Sequence, residues 1–100
     1  ILAVPATDTL KQVADGVAQN TLDRRAIWQA QTPQMFRFGL LLSALQAARD
    51  KQRVITDEAS AMEAAGHVVK VVEGARSNIK ITYSEDLALA AFYLQQEQQA

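Results

Sequence analysis

Cysteine is absent from this 100-residue sequence, and histidine occurs only once. Without cysteine the chain forms no disulfide and offers no thiolate as a nucleophile or zinc ligand. His67 cannot build a zinc site in a chain that lacks both cysteine and a second histidine. The absence of cysteine is compatible with a reducing compartment, and we expect a cytoplasmic protein.

An excess of either charge is also lacking. The 10 Lys and Arg residues nearly balance the 11 Asp and Glu residues, for a net charge of −1. Proteins that bind nucleic acid or anionic membranes carry a basic surface, so the composition predicts neither partner. No apolar run reaches the roughly 18 residues of a membrane span, and we expect a soluble chain. An anionic ligand would therefore be bound locally, by a few placed cations.

Glycine-rich motifs are missing as well. The 4 glycines form neither a phosphate-binding loop nor the nucleophile elbow of hydrolases. Asp57 and Glu58 are adjacent acids, a pattern more common at the start of a helix than in a catalytic carboxylate pair. The residues alone therefore identify no common catalytic motif.

The first third of the chain predicts strands. Residues 1–5 open on a continuous apolar run, which is typical of a strand covered on both faces, as in parallel α/β sheets. Asp15-Gly16 predicts a hairpin that joins residues 8–14 to residues 17–23. This hairpin has few apolar side chains of its own, so we expect it to lie against a partner surface. A further strand is predicted at 26–31.

The remainder of the chain predicts helices that alternate with short strands. Residues 36–51 carry the apolar spacing of an amphipathic helix. A second helix is predicted from Thr56 to Gly66, with the hydroxyl of Thr56 as its cap and Gly66 at its end. Residues 67–72 and 79–82 read as extended segments. A capping box of Thr82 and Glu85 would start the last helix. This order predicts an α/β fold with a partly parallel sheet, and the predicted core includes Trp28, Phe36 and Phe38.

Six polar residues lie at the ends of predicted elements, where α/β sheets bind their ligands. They are Asp8, Thr9, Arg24, Thr32, Thr56 and Lys80. Two cations and several hydroxyls suit a small molecule that carries a phosphate. The alternatives stay open at this point: a threonine at such a position is often only a cap or a turn hydroxyl, and a lone cation is often a solvated surface charge.

An ordered set of short motifs covers nearly the whole chain. These are DTLK at 8–11, TLDR at 21–24, Trp28, QTPQ at 31–34, TDEAS at 56–60 with Glu63 and Gly66, EG at 73–74, NIKIT at 78–82 and EDL at 85–87. Together they resemble the 2-C-methyl-D-erythritol 4-phosphate cytidylyltransferase family, an enzyme family of non-mevalonate isoprenoid biosynthesis. The resemblance identifies residues 1–100 as the C-terminal portion of a single cytidylyltransferase domain.

The resemblance implies a Rossmann-like nucleotidyltransferase sheet with a projecting β-arm, at about residues 8–25, that forms a homodimer. It implies transfer of the cytidylyl group of CTP to a polyol phosphate, with release of pyrophosphate. Arg24 and Lys80 would hold the attacking phosphate, and Thr9, Thr32 and Thr56 would bind the same substrate. Arg24, on the arm, would serve the neighbouring subunit's site.

The family's CTP loop and its Mg²⁺ ligand belong to an N-terminal half that we expect to be absent here, so residues 1–100 alone are expected to be inactive. Tyr83-Ser84 departs from the family's Thr-x-Pro pattern. Two alternatives therefore remain: a ribitol 5-phosphate cytidylyltransferase, and a non-catalytic dimerisation module.

Overall fold

The structure is a computed structural model that describes residues 1–99. Its strands are β1 (Leu2–Pro5), β2 (Leu10–Ala14), β3 (Val17–Leu22), β4 (Trp28–Ala30) and β5 (Val72–Glu73), and its helices are α1 (Phe38–Asp50), α2 (Glu58–Ala64) and α3 (Ser84–Gln99), with a 3₁₀ turn at Arg24–Ala26. The chain forms two compact units: Ile1–Leu2 with Thr32–Val72, and Ala3–Gln31 with the residues from Glu73 onward.

Strand β1 is the middle strand of a three-stranded sheet of order β4-β1-β5. It runs antiparallel to β4, with Val4 opposite Gln29. On its other edge, the N–H of Val72 donates to the carbonyl of Ile1 at 2.8 Å and that of Gly74 to Ala3 at 2.9 Å. These two bonds advance in the same direction along both strands, as in a parallel pair. The predicted α/β fold with a partly parallel sheet is confirmed.

The predicted hairpin is also confirmed, with β2 and β3 paired antiparallel from Leu10 opposite Leu22 to Ala14 opposite Val17. Asp15 and Gly16 have φ angles of 51° and 74°, the left-handed values that a type I′ turn requires at both central positions. Every residue of β3 is exposed. The hairpin therefore has no core of its own within the described chain.

The core of the first unit lies where α1 packs on α2. Ala44, Ala61 and Met62 are buried there. Small alanine side chains let two helices approach closely, so backbone proximity rather than large side chains closes this contact. Four larger side chains pack around it: Phe36, Leu41, Ile55 and Val69.

Several predicted features are wrong in detail. Trp28 is 42% exposed and Phe38 is 78% exposed, so neither is a core residue of this chain, whereas Phe36 is half-buried. The predicted strand at 67–72 is reduced to Val72–Glu73, because the hydrogen bonds of this segment to Ile1 and Ala3 begin only at Lys70. Residues 79–82 form no strand.

The helix caps differ from the predicted ones. The side chain of Asp57, not of Thr56, caps α2 by accepting the N–H of Ser60 at 2.8 Å. At α3 the carboxylate of Asp86 accepts the N–H groups of Thr82 and Tyr83, at 2.9 and 2.8 Å, in place of a Thr82 and Glu85 box. A carboxylate in the first turn accepts these orphan donors and also complements the helix dipole.

Gly66 ends α2 as predicted. Its φ angle is 86°, a left-handed conformation that glycine adopts without steric cost. Its N–H donates to the carbonyl of Glu63, and the N–H of His67 donates to Met62, both at 3.0 Å. This pair of bonds is a Schellman motif, which satisfies the last carbonyls of the helix.

Candidate functional site

Two of the five residues that the resemblance assigns to the substrate lie at the open end of the hairpin. Thr9 directly precedes β2, and Arg24 begins the 3₁₀ turn that follows β3. The guanidinium of Arg24 donates to the carbonyl of Thr7, two residues before Thr9. This contact holds Arg24 beside the segment that leads into the hairpin.

The residue next to Arg24 has a different environment. Arg25 forms a salt bridge with Asp23 at 2.6 Å, with both side chains largely exposed. The hydrogen bond from Arg25 lowers the pKa of the Asp23 carboxyl. Because Arg25 takes the local carboxylate, the guanidinium of Arg24 makes no salt bridge within residues 1–99. Of the two adjacent arginines, Arg24 is therefore the one available to an anion.

Lys80 lines a cavity of about 320 Å³ in the second unit. The cavity lies against β1 and β4 and is bordered by residues of the 76–80 segment, with Val4, Gln31, Arg76 and Asp86 among its lining residues. Lys80 is exposed, and its ammonium makes no salt bridge in the described part of the chain. The predicted cation thus faces a concave space with a second cation, Arg76.

The single acid in this cavity is already bonded. The two backbone N–H groups that Asp86 accepts, first that of Tyr83 and then that of Thr82, lower the pKa of its carboxyl. The Asp86 carboxylate is therefore hydrogen-bonded to the backbone at the start of α3. Lys80 and Arg76 outnumber it among the lining residues, so the cavity is biased towards anions.

Thr32 and Thr56 belong to the first unit, and both are exposed. Thr32 precedes Pro33 across a cis peptide bond. The N–H of Thr56 donates to the hydroxyl of Ser60 at 3.2 Å, which fixes the backbone just before α2. The hydroxyl of Thr56 is not the helix cap, so the simplest alternative reading of this residue is wrong.

Two residues that line the cavity, Arg76 and Gln31, were not among the predicted site residues. Arg76 donates to the carbonyl of Pro5 at 2.9 Å, and the amide of Gln31 donates to the carbonyl of Ala75 at 2.8 Å. Nothing in the local pattern predicts bonds between residues this far apart in sequence. The position of Gln31, one residue past the end of β4, could have marked it as a candidate, because α/β sheets bind ligands at the ends of their strands.

Residues 1–99 contain no cluster of three or more His, Asp or Glu side chains able to hold a metal ion. None of the helices within the same residues has both the length and the apolar character that a bilayer crossing requires.

Comparison with solved structures defines the class of protein. The fold matches crystal structures of 2-C-methyl-D-erythritol 4-phosphate cytidylyltransferase from Francisella tularensis, with a TM-score of 0.85 and 46% identity, over 92% of this chain and 43% of that one. The Thermus thermophilus structure of the same name gives a TM-score of 0.82 at 33% identity, over 94% of this chain and 48% of that one. The α/β fold is thus that of the cytidylyltransferase structures.

Comparison of the amino-acid sequence shows the family to which this chain belongs. The family described as IspD, 2-C-methyl-D-erythritol 4-phosphate cytidylyltransferase, matches residues 1–96, and the chain belongs to this family. The enzyme of that name from Acidithiobacillus ferrooxidans is 54% identical over 94 residues, which is 94% of this chain and 40% of the relative. That from Acinetobacter baylyi is 55% identical over 95 residues, again 94% and 40%. The chain therefore spans about 40% of the length of these relatives.

Proposed function

We propose that the complete protein joins 2-C-methyl-D-erythritol 4-phosphate to CTP, giving 4-diphosphocytidyl-2-C-methyl-D-erythritol and pyrophosphate in non-mevalonate isoprenoid biosynthesis. The observation that carries this proposal is the family match over residues 1–96. In the reaction a phosphate oxygen of the polyol phosphate attacks the α-phosphorus of CTP. A new P–O–P bond forms, the bond to the bridging oxygen of the β-phosphate breaks, and pyrophosphate leaves.

Lys80 and Arg24 are proposed to hold and orient the attacking phosphate. Neither cation is taken by a carboxylate within residues 1–99, which is what a phosphate-binding role requires. Phosphoryl transfer depends mainly on positioning and on charge neutralisation, so two placed cations supply the chemistry expected of this portion. Thr9, Thr32 and Thr56 are proposed to contribute hydroxyl or backbone contacts to the same substrate.

The hairpin is proposed to be a dimerisation arm. Val13 and Val17 are 59% and 60% exposed, and the hairpin has no core within the described chain. Two-stranded hairpins are marginal in water unless they pack on another surface. A second copy of the protein would provide that surface, and Arg24, just beyond the arm, would then reach the partner's substrate.

Mg²⁺ is proposed as the metal of the complete enzyme. The described residues do not fit a metal site, so no step assigned to this chain runs through the ion. We also propose a cytoplasmic location, with no nucleic acid or membrane partner, from the near-zero net charge and the absence of cysteine. Residues 1–100 alone are proposed to be inactive, since they span about 40% of their relatives.

The proposal is tested with the complete protein, CTP, Mg²⁺ and each of two acceptors, 2-C-methyl-D-erythritol 4-phosphate and ribitol 5-phosphate. Pyrophosphate release and the cytidylylated product are measured side by side. We expect kcat/KM to be higher for the methylerythritol phosphate. A preference for ribitol 5-phosphate would transfer the assignment to that substrate, and no product with either would leave only the dimerisation module.

A further inference from the structure

The cavity beside Lys80 contains a second cation whose surroundings are unusually well defined. Arg76 lines the same cavity and donates from Nη2 to the carbonyl of Pro5 at 2.9 Å. This bond fixes the guanidinium at the end of β1. A guanidinium carries five N–H donors, so most of them remain for the oxygens of an anion. Arg76 makes no salt bridge within residues 1–99 that would compete for them.

The backbone around Arg76 is held by one side chain from the other side of the sheet. Nε2 of Gln31 donates to the carbonyl of Ala75 at 2.8 Å and to that of Asn78 at 3.3 Å. Two carbonyl acceptors determine which end of this amide is the nitrogen. The Gln31 amide therefore clamps the loop on both sides of Arg76, directly ahead of Lys80.

The other end of the same amide makes no hydrogen bond. Oε1 of Gln31 is buried and has no partner in the described part of the chain. Buried polar atoms are rarely left in this state. The two bonds at Nε2 thus hold Gln31 in an orientation that leaves its own oxygen without a hydrogen bond.

The charge of the expected ligand exceeds that of Lys80 alone. A phosphate monoester carries about −1.5 to −2 at neutral pH. Arg24 is proposed to supply one guanidinium from the neighbouring subunit, and Arg76 would supply another from the same subunit as Lys80. The guanidinium also binds two phosphate oxygens at once, which a point charge does not.

We propose that Arg76 is a second phosphate-binding residue of the cavity, acting with Lys80 on the polyol phosphate, and that Gln31 is the positioning residue that holds the Arg76 loop. This inference rests on the proposed function. It adds Arg76 as a residue that orients the polyol phosphate. It also adds Gln31, which would act on the substrate only by holding the loop that carries Arg76.

The test is the steady-state kinetics of Arg76→Gln in the complete enzyme. We expect KM for the polyol phosphate to rise about tenfold, because a charge-assisted hydrogen bond is lost. KM for CTP should stay unchanged, and Arg76→Lys should restore part of the loss. Inorganic phosphate, as a competitor of the polyol phosphate, should inhibit the variant about tenfold more weakly. Arg49→Gln, at an exposed arginine of α1, is the matched control.

A second measurement tests Gln31 through a double-mutant cycle. Gln31→Leu removes the clamp, so we expect it to raise KM for the polyol phosphate and to reduce the further effect of Arg76→Gln. If wild-type enzyme is active while Arg76→Gln leaves KM for the polyol phosphate and inhibition by phosphate unchanged, this inference is overturned and the proposed function stands. Fully additive effects would overturn the role of Gln31. An inactive wild-type enzyme would instead refute the proposed function.

Discussion

The side-chain amide of Gln34 donates to Oδ2 of Asp57 at 2.9 Å, and its oxygen accepts the N–H of Ala59 at 3.1 Å. One amide thus bonds both to the helix cap and to the first turn of α2. The hydrogen bond from Gln34 is the largest effect and lowers the pKa of the Asp57 carboxyl; burial opposes it, and the hydrogen bonds with Ser60 lower the pKa further.

This relationship predicts a pH-dependent contribution to stability. The pKa of Asp57 is lower in the folded state than in the unfolded one, so its stabilisation is present above the ordinary value of 3.8 and is lost as the pH falls through the lowered value. Asp57→Ala should cost about 1 kcal/mol of unfolding free energy at pH 7. Urea unfolding of the complete protein at pH 7 and pH 3 should show the cost shrinking at the lower pH. Asp8→Ala, at an exposed carboxylate, is the control; an equal cost for Asp57→Ala at both pH values would contradict the prediction.

The end of α1 predicts a stabilising substitution. Gln52 has a φ angle of 55°, and the N–H groups of Gln52 and Arg53 donate to Arg49 and Ala48 in a Schellman motif. Gln52 carries a Cβ where glycine would be unstrained, so Gln52→Gly should raise the free energy of unfolding by about 0.5–1 kcal/mol. Gln46→Gly, inside the helix, should lower it by a similar amount. Chemical denaturation measures both, and a lower stability for Gln52→Gly would show that this turn is not strained.

Loss of the Lys80 ammonium should slow the reaction. Lys80→Ala in the complete enzyme is expected to reduce turnover about a hundredfold, because the variant lacks a cation that stabilises the charge on the reacting phosphate groups. CTP binding should be retained. Turnover is measured by pyrophosphate release, and CTP binding by calorimetry. Lys70→Ala, at another exposed lysine, should leave both unchanged. Normal turnover of Lys80→Ala would remove this residue from the site.

Arginine at position 24 should not be replaceable by lysine. Arg24→Ala and Arg24→Lys are both expected to lower turnover at least about tenfold, because a bidentate guanidinium is lost in each. Arg25→Ala should have little effect, since Arg25 is engaged by Asp23 in an exposed pair. Full activity of Arg24→Lys would favour the dimerisation module. Mixing inactive Arg24→Ala and Lys80→Ala subunits should restore activity if Arg24 serves the partner's site, and no restoration would place both residues in one subunit's site.

The hairpin should determine the oligomeric state. Val17→Lys adds a charge to an exposed apolar position of β3 and should weaken the proposed dimer without unfolding the protein. Deleting residues 10–22 should abolish the dimer. Analytical ultracentrifugation of the complete protein measures both, with Gln19→Lys as the polar control on the same strand. A deletion variant that stays dimeric would show that subunits associate elsewhere.

The features that could be predicted from sequence are those set by neighbouring residues. Asp15-Gly16 specifies a turn with two left-handed residues, and Gly66 specifies a helix end, so both were correct. The strand predicted at 67–72 was not. Val68 and Val69 favour extended backbone, but a strand also needs a partner, and the hydrogen bonds of this segment to Ile1 and Ala3 begin only at Lys70.

In the candidate site, too, the predictions from sequence rested on local features, whereas contacts between distant residues were not predicted. Lys80 was predicted as a site residue because it follows a turn at the end of an element, which is a local property, and the structure places it at the lining of a cavity. Arg76 was missed because it looks like a solvated loop residue until its bond to Pro5 is seen, 71 positions away in sequence. Trp28 and Phe38 were assigned to the core on their apolar character alone, yet exposure depends on which surfaces pack on them.

The parallel pairing of β1 also affects the order of folding. The bond from the N–H of Val72 to the carbonyl of Ile1 spans 71 positions, whereas the hairpin closes across two residues. A hairpin forms within about 1–10 μs. A ribosome that adds about 5–20 residues per second needs about 4 to 14 s to supply the residues that separate β1 from β5. During synthesis, the edge of β1 that pairs with β5 therefore stays unpaired until β5, the last of the five described strands, has been made.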